Sequence, residues 1–140
     1  MFDAIGARTL WLGAAGNGSR LKMVCNAWLL MVTAGVAQSV ALARGLGLDP
    51  EDFLSAIEGG AMDTPYAHVK GANMIKGEHP LSFGLTGATK DARLIREALA
   101  SAGVSDRLDA AVVATMDEAQ RRRPDPGADD LSALIDGLAI

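Results

Sequence analysis

The chain is short of the residues from which several classes of protein are built. It has a single cysteine, Cys25, so no internal disulfide can form, and its two histidines, His68 and His79, stand apart with no second thiol to join them. A metal centre needs a cluster of such ligands, and none is expected. Aromatic residues make up 4% of the sequence, and the β-branched and aromatic enrichment that strands favour is missing. Positive charge is also scarce, the net charge being −4. Sequence-independent binding of nucleic acid draws on many cations to release counterions from phosphates, so no nucleic-acid partner is expected. The one basic run, Arg121-Arg122-Arg123, reads as the solvated, dipole-compatible end of a helix. With no charged-then-apolar leader at the start of the sequence, the cytoplasm is the expected location.

What is present is apolar and helix-forming. In 140 residues, 49% are hydrophobic, enough to build one core without disulfides or metals. Alanine and leucine dominate, which points to an all-α fold. From Met23 to Ala43 no residue carries a charge, a run long enough to cross a bilayer as a helix. It contains Asn26, Thr33, Gln38 and Ser39, however, and much of its apolar content is alanine, a weak insertion signal. The expectation is a buried central helix rather than a membrane span.

Punctuation residues divide the rest of the chain. Thr9-Leu10-Trp11-Leu12 is a short β-like run, preceded by one or two helical turns, with no second strand in sight to pair with it. The long helix then runs from about Ser19 to Arg44 and stops at Gly45 and Gly47. Asp49-Pro50 opens a second helix, with Asp49 as its cap and Pro50 at the first helical position, and a third follows Asp63-Thr64-Pro65 and runs to about Lys76. A fourth helix spans about Thr86 to Ser101, with Leu85, Ala88, Ala92, Ile95, Leu99 and Ala102 along one stripe. A fifth, from about Asp106 to Arg122 and capped by Ser105, buries Leu108, Ala111, Val112, Thr115 and Ala119, and a short last helix follows Asp129-Asp130.

The glycine-rich entry to the long helix, Gly13-Ala14-Ala15-Gly16-Asn17-Gly18, invites a phosphate-binding reading that its spacing rejects. Leu21 stands where a dinucleotide turn needs its third glycine, and Ser19-Arg20 stand where a P-loop needs lysine and a hydroxyl residue. The residues beyond it are more telling. Gly18, Lys22 and Asn26 recur every four residues and share one helix face, a polar notch on an apolar helix. A lysine near the positive end of a helix is disposed to give up its proton, and an asparagine can hold a hydroxyl or carboxylate beside it. The alternative leaves Lys22 reaching into solvent and Asn26 capping a loop. Cys25 reads as a small core residue.

Three separated stretches together resemble the β-hydroxyacid dehydrogenase family: Gly16-Asn17-Gly18 with Lys22 and Asn26, Phe83 with Lys90-Asp91-Ala92-Arg93-Leu94, and Gly127-Ala128-Asp129-Asp130-Leu131-Ser132. The resemblance is to the family's C-terminal all-α domain, a helical bundle around one long apolar helix like that of 6-phosphogluconate dehydrogenase, and covers essentially the whole chain. It implies that Lys22 is the catalytic general acid/base, that Gly18 and Asn26 bind substrate, that Lys90, Phe83 and Asp91 serve the cofactor side of the cleft, and that the cofactor is NAD or NADP. It also implies a small hydroxyacid substrate and a homodimer. Related imine-reducing enzymes generally differ at the lysine position, so Lys22 favours hydroxyacids or their carbonyl partners. Residues 1–15 look like the remnant of a Rossmann domain's last helix and strand, with residues 16–140 forming the α domain. The family's dinucleotide-binding turn and its substrate-binding Asp/Ser-Gly-Gly segment do not occur in these 140 residues, so the chain by itself is expected to be inactive. The competing reading is a catalytically silent helical dimerisation module.

Overall fold

Local signals set the helix starts. The Asp49 side chain accepts a hydrogen bond from the Glu51 N–H ahead of α2 (Pro50–Ile57), and Thr64 accepts from Ala67 N–H ahead of α3 (Pro65–Lys76), each with proline in the first turn. In the computed structural model, which describes residues 10–139, these two follow α1 (Asn17–Gly45) and precede α4 (Leu85–Ser101), α5 (Arg107–Arg122) and a last helix of 3₁₀ type (Leu131–Leu138). The α1 start has no side-chain cap and relies on Gly16 at φ 89°, left-handed backbone that glycine adopts without strain. The start of α5 departs from expectation. Asp106 takes the N-cap position without capping, its carboxylate instead receiving the Arg96 guanidinium at 2.9 Å, and Ser105 accepts only a long 3.5 Å bond from Arg107 N–H.

The bundle is laid on α1, which touches every other element. Its buried residues, Leu30, Thr33, Val36, Ala37, Val40 and Ala43, form one stripe at helical spacing. That corrects the expectation of a helix covered all round. Of the 29 residues of α1, none before Leu30 is buried, and Val24 and Trp28 are 64% and 68% exposed. Cys25, expected in the core, is exposed: on this half of the helix only one side, with Met23, Ala27 and Leu29, packs against the core. By length and composition α1 is also able to cross a membrane.

On α4 the expected stripe holds through Leu85, Ala88, Ala92 and Ile95, while Leu99 is half-buried and Ala102, past the helix end, is exposed. The α5 face is rotated from the expected one. Asp109, Val112, Val113, Met116 and Ala119 are buried and Leu108 is 76% exposed. The larger Val113 and Met116 turn inward between α4 and the last helix, both of which pack on α5. This rotation carries the Asp109 carboxylate inside with no hydrogen-bond partner on either oxygen among the described residues. Burial pushes its pKa up, against the pull of Arg96.

A 3₁₀ helix of eight residues is long for its type. At three residues per turn, Leu131, Leu134 and Gly137 fall in one column. The column is matched to its neighbour: a Cβ on Gly137 would lie 2.0 Å from the Thr115 carbonyl oxygen of α5. Of the expected N-terminal strand, Thr9 lies outside the described residues, as do the helical turns expected before it, and Leu10 to Leu12 are irregular and exposed. Among the described residues they have no strand to pair with, the only β-type contact being an isolated bridge between Gly84 and Asp130.

Candidate active site

The exposed half of α1 faces α4. Burial of Leu85, Ala88 and Ala92 fixes the rotation of α4 so that Asp91, Leu94 and Ile95 turn toward α1. There they meet Ser19, Lys22, Met23 and Asn26 across a groove of about 120 Å³. Asn26 Nδ2 donates to Asp91 Oδ2 at 3.1 Å. A carboxylate only accepts, so this bond fixes which way the amide points and leaves Asn26 Oδ1 available as an acceptor. Lys22 is exposed at the rim, and Met23, Leu94 and Ile95 give the groove an apolar floor. One ammonium, one carboxylate and one oriented amide thus converge on a space suited to a molecule of a few heavy atoms.

Three of the six residues singled out from sequence, Lys22, Asn26 and Asp91, are brought together here. The other three do not line the groove. Gly18 is exposed in the first turn, where an added Cβ would meet nothing within 4 Å, so Gly16 and not Gly18 answers a conformational need of the entry. Lys90 is exposed on α4, one residue and therefore a quarter-turn away from Asp91. Phe83 is half-buried, packed against the core from the loop before α4. Thr64 and Tyr66, from the segment after Met62, line a different recess beside Cys25, Trp28 and Val32.

A second polar constellation has no counterpart in the sequence reading beyond the motif that contains Asp130. Its carboxylate is fully buried and accepts from five donors: Lys70 Nζ at 2.6 Å and Ser132 N–H at 2.9 Å on Oδ1, then Ser82 Oγ at 2.7 Å, Phe83 N–H at 3.0 Å and Ser82 N–H at 3.2 Å on Oδ2. Burial by itself would raise the Asp130 pKa, but the Lys70 ammonium and these N–H and O–H donors outweigh it and hold the carboxyl far below its ordinary range. Lys70, 3% exposed, also lies over the Tyr66 ring. Next to this pair His79, buried, shares a 2.8 Å hydrogen bond with Ser132 Oγ. Desolvation and the nearby Arg123 lower its pKa.

The basic run is neutralised within the fold. Arg121 and Arg122 pair with Glu118, and Arg123 bridges Asp129 and Asp136, closing the turn before the last helix.

A family model described as the NAD-binding domain of NADP-dependent 3-hydroxyisobutyrate dehydrogenase matches residues 16–138. The chain belongs to the 3-hydroxyisobutyrate dehydrogenase family. Among its relatives is glyoxylate/succinic semialdehyde reductase 1 of Arabidopsis thaliana, 32% identical over 98% of this chain and 47% of that protein. The chloroplastic reductase 2 of the same plant is 35% identical over 66% of this chain and 26% of that protein. The cytokine-like nuclear factor N-PAC of Anopheles gambiae is 33% identical over 66% of this chain and 16% of that protein. The chain therefore spans about half the length, or less, of these relatives.

Family membership makes NAD(P) the cofactor. The groove, at about 120 Å³, is too small to take a dinucleotide, and the exposed Lys90 lies outside it, a quarter-turn round α4 from Asp91. Among the described residues there is no group of histidine, cysteine and carboxylate side chains able to hold a metal ion.

Proposed function

We propose that this domain supplies the proton-handling half of an NAD(P)-dependent β-hydroxyacid dehydrogenase or reductase that interconverts a small 3-hydroxyacid, or a related 2-hydroxyacid, with its semialdehyde or keto form. The observation that carries the reading is the convergence of Lys22, Asn26 and Asp91 on one small groove with an apolar floor. Nicotinamide, when bound, supplies or accepts the hydride. Lys22 Nζ gives a proton to the carbonyl oxygen in reduction and takes it from the hydroxyl in oxidation. Asn26, its amide held by Asp91, fixes the substrate beside Lys22. Lys90 is assigned to the cofactor, Phe83 to the loop that supports this side of the cleft, and Gly18 to the open approach above the first turn. Glyoxylate and succinic semialdehyde, named for the Arabidopsis relatives, are the first substrates to try.

The remainder of the reading concerns partners. A Rossmann domain is to provide the dinucleotide site, and a second copy of this domain is to cover the exposed half of α1, where Val24 and Trp28 are bare. The test joins the chain to a dinucleotide-binding domain of the family and follows NADPH oxidation. Lys22→Ala is expected to lower kcat by about a thousandfold with a small change in KM, and turnover that is unchanged by Lys22→Ala would leave the domain as a helical dimerisation module. Turnover by the chain without the added domain would remove the need for that partner.

A further inference from the structure

Asp130 lies on a different element from every residue of the groove, yet its bonds end on the segment that launches α4. Its Oδ2 accepts from Ser82 and Phe83 N–H groups, and the backbone around it adds three more bonds: Asp130 N–H to the His79 carbonyl, Leu131 N–H to the Phe83 carbonyl and Leu85 N–H to the Asp129 carbonyl. Leu85 is the first residue of α4, and Asp91 sits six residues on, less than two turns from this anchor. On the other oxygen the Lys70 ammonium ties the carboxylate to α3, which packs on α1. The path from Lys70 through Asp130 to Leu85 thus links the two helices that form the groove, without touching the groove itself.

We propose that Asp130 is a positioning residue for the groove: through the 82–85 segment it sets the rise and rotation at which α4 leaves its first turn, and hence where the Asp91 carboxylate meets Asn26. The proposal takes its functional meaning from the reading of the groove as an active site, but the geometry it asserts stands apart from any chemistry there. A buried carboxylate with five donors is far more than one loop needs for closure, since three backbone bonds already close it. What the carboxylate adds is direction. Two successive N–H groups, from Ser82 and Phe83, converge on one oxygen while Ser132 N–H and Lys70 hold the other, so the carboxylate plane cannot turn without breaking bonds on both sides.

The Asn26 side-chain amide reports this geometry directly, because its Nδ2 protons resonate differently when one of them is bonded to a carboxylate. The experiment records ¹⁵N–¹H spectra of the 140-residue chain, with Asp91→Ala supplying the peak positions of the unbonded amide. The paired change Lys70→Gln with Asp130→Asn removes both buried charges together and leaves a neutral amide at each position. The expected result is a folded chain in which the Asn26 peaks move toward the Asp91→Ala positions and the amides of residues 82–85 exchange at least about tenfold faster. If those amides exchange faster while the Asn26 peaks stay where they are, Asp130 holds only its own loop and the proposal fails. Should the paired variant not fold, Ser82→Ala decides by the same peaks, since it removes one exposed side chain from the Asp130 carboxylate and leaves the core intact. Moved Asn26 peaks together with turnover indifferent to Lys22 would uphold the positioning and sink the active-site reading; unmoved peaks with Lys22-dependent turnover would do the reverse.

Discussion

Breaking the buried ion pair by Lys70→Met is the sharpest test of the fold. Lys70 and Asp130 are 3% and 0% exposed, and their charges lie 2.6 Å apart. Methionine fills much of the lysine stem's volume, so the change removes the charge more than the packing. It leaves a buried carboxylate whose remaining partners are N–H and O–H donors of Ser82, Phe83 and Ser132. Loss of one member of such a pair costs about 3–5 kcal/mol, a large part of the roughly 5–15 kcal/mol that holds a domain together. Taking an m-value of about 2 kcal/mol per molar, the urea midpoint of the variant should fall by about 2 M. The pH dependence follows from the Asp130 carboxyl, whose pKa in the fold is lower than its ordinary 3.8. Its contribution is complete above about that value and is lost as pH falls through the folded value. The difference between wild type and variant should therefore be flat from pH 8 to about pH 5 and narrow only in acid. A midpoint shift under about 0.5 M at pH 7 would refute the reasoning, because it would mean that water or a rearranged loop replaces the ammonium at negligible cost.

Gly137→Ala places a Cβ 2.0 Å from the Thr115 carbonyl oxygen, so the last helix has to lift from α5; a loss of about 2–4 kcal/mol in chemical denaturation is expected. Asp109→Asn removes a carboxylate that is buried without a partner and should stabilise the chain by about 1 kcal/mol at pH 7. Because burial raises the Asp109 pKa in the fold, that gain should shrink as pH falls through the folded value toward 3.8, a trend that urea titrations at several pH values will show or exclude. His79 has its pKa lowered in the fold from 6.5. The unfolded chain therefore takes up this proton first, and stability should begin to fall as pH drops below about 6.5, more steeply in wild type than in His79→Gln.

Much of the scaffold was legible in the sequence because its causes are local. Asp49-Pro50 and Thr64-Pro65 carry their caps and proline with them, and the two helices start where those residues stand. The α4 stripe was readable too, since a helix packed on one side keeps a simple period. On α5 the same reasoning held for Val112 and Ala119 but set the face too far toward Leu108, Ala111 and Thr115. Ala111 and Thr115 lie on the same period as Val112 and Ala119, and periodicity cannot say that Val113 and Met116 will be claimed by α4 and the last helix. Cys25 was misplaced for a related reason: an uncharged run announces a helix, but not which of its faces the neighbouring helices cover.

The sequence by itself determined the helical class, most of the helix limits and the four-residue spacing of Gly18, Lys22 and Asn26, all of which follow from backbone preference and periodicity within one stretch of chain. Only tertiary structure decided that Asn26 turns to Asp91, 65 residues away, while Gly18, Phe83 and Lys90 stay outside the groove, and that Asp130 and Lys70, 60 residues apart, meet in the interior. Such partners are chosen by how helices rotate when their larger side chains compete for one core, and that competition has no period along the chain.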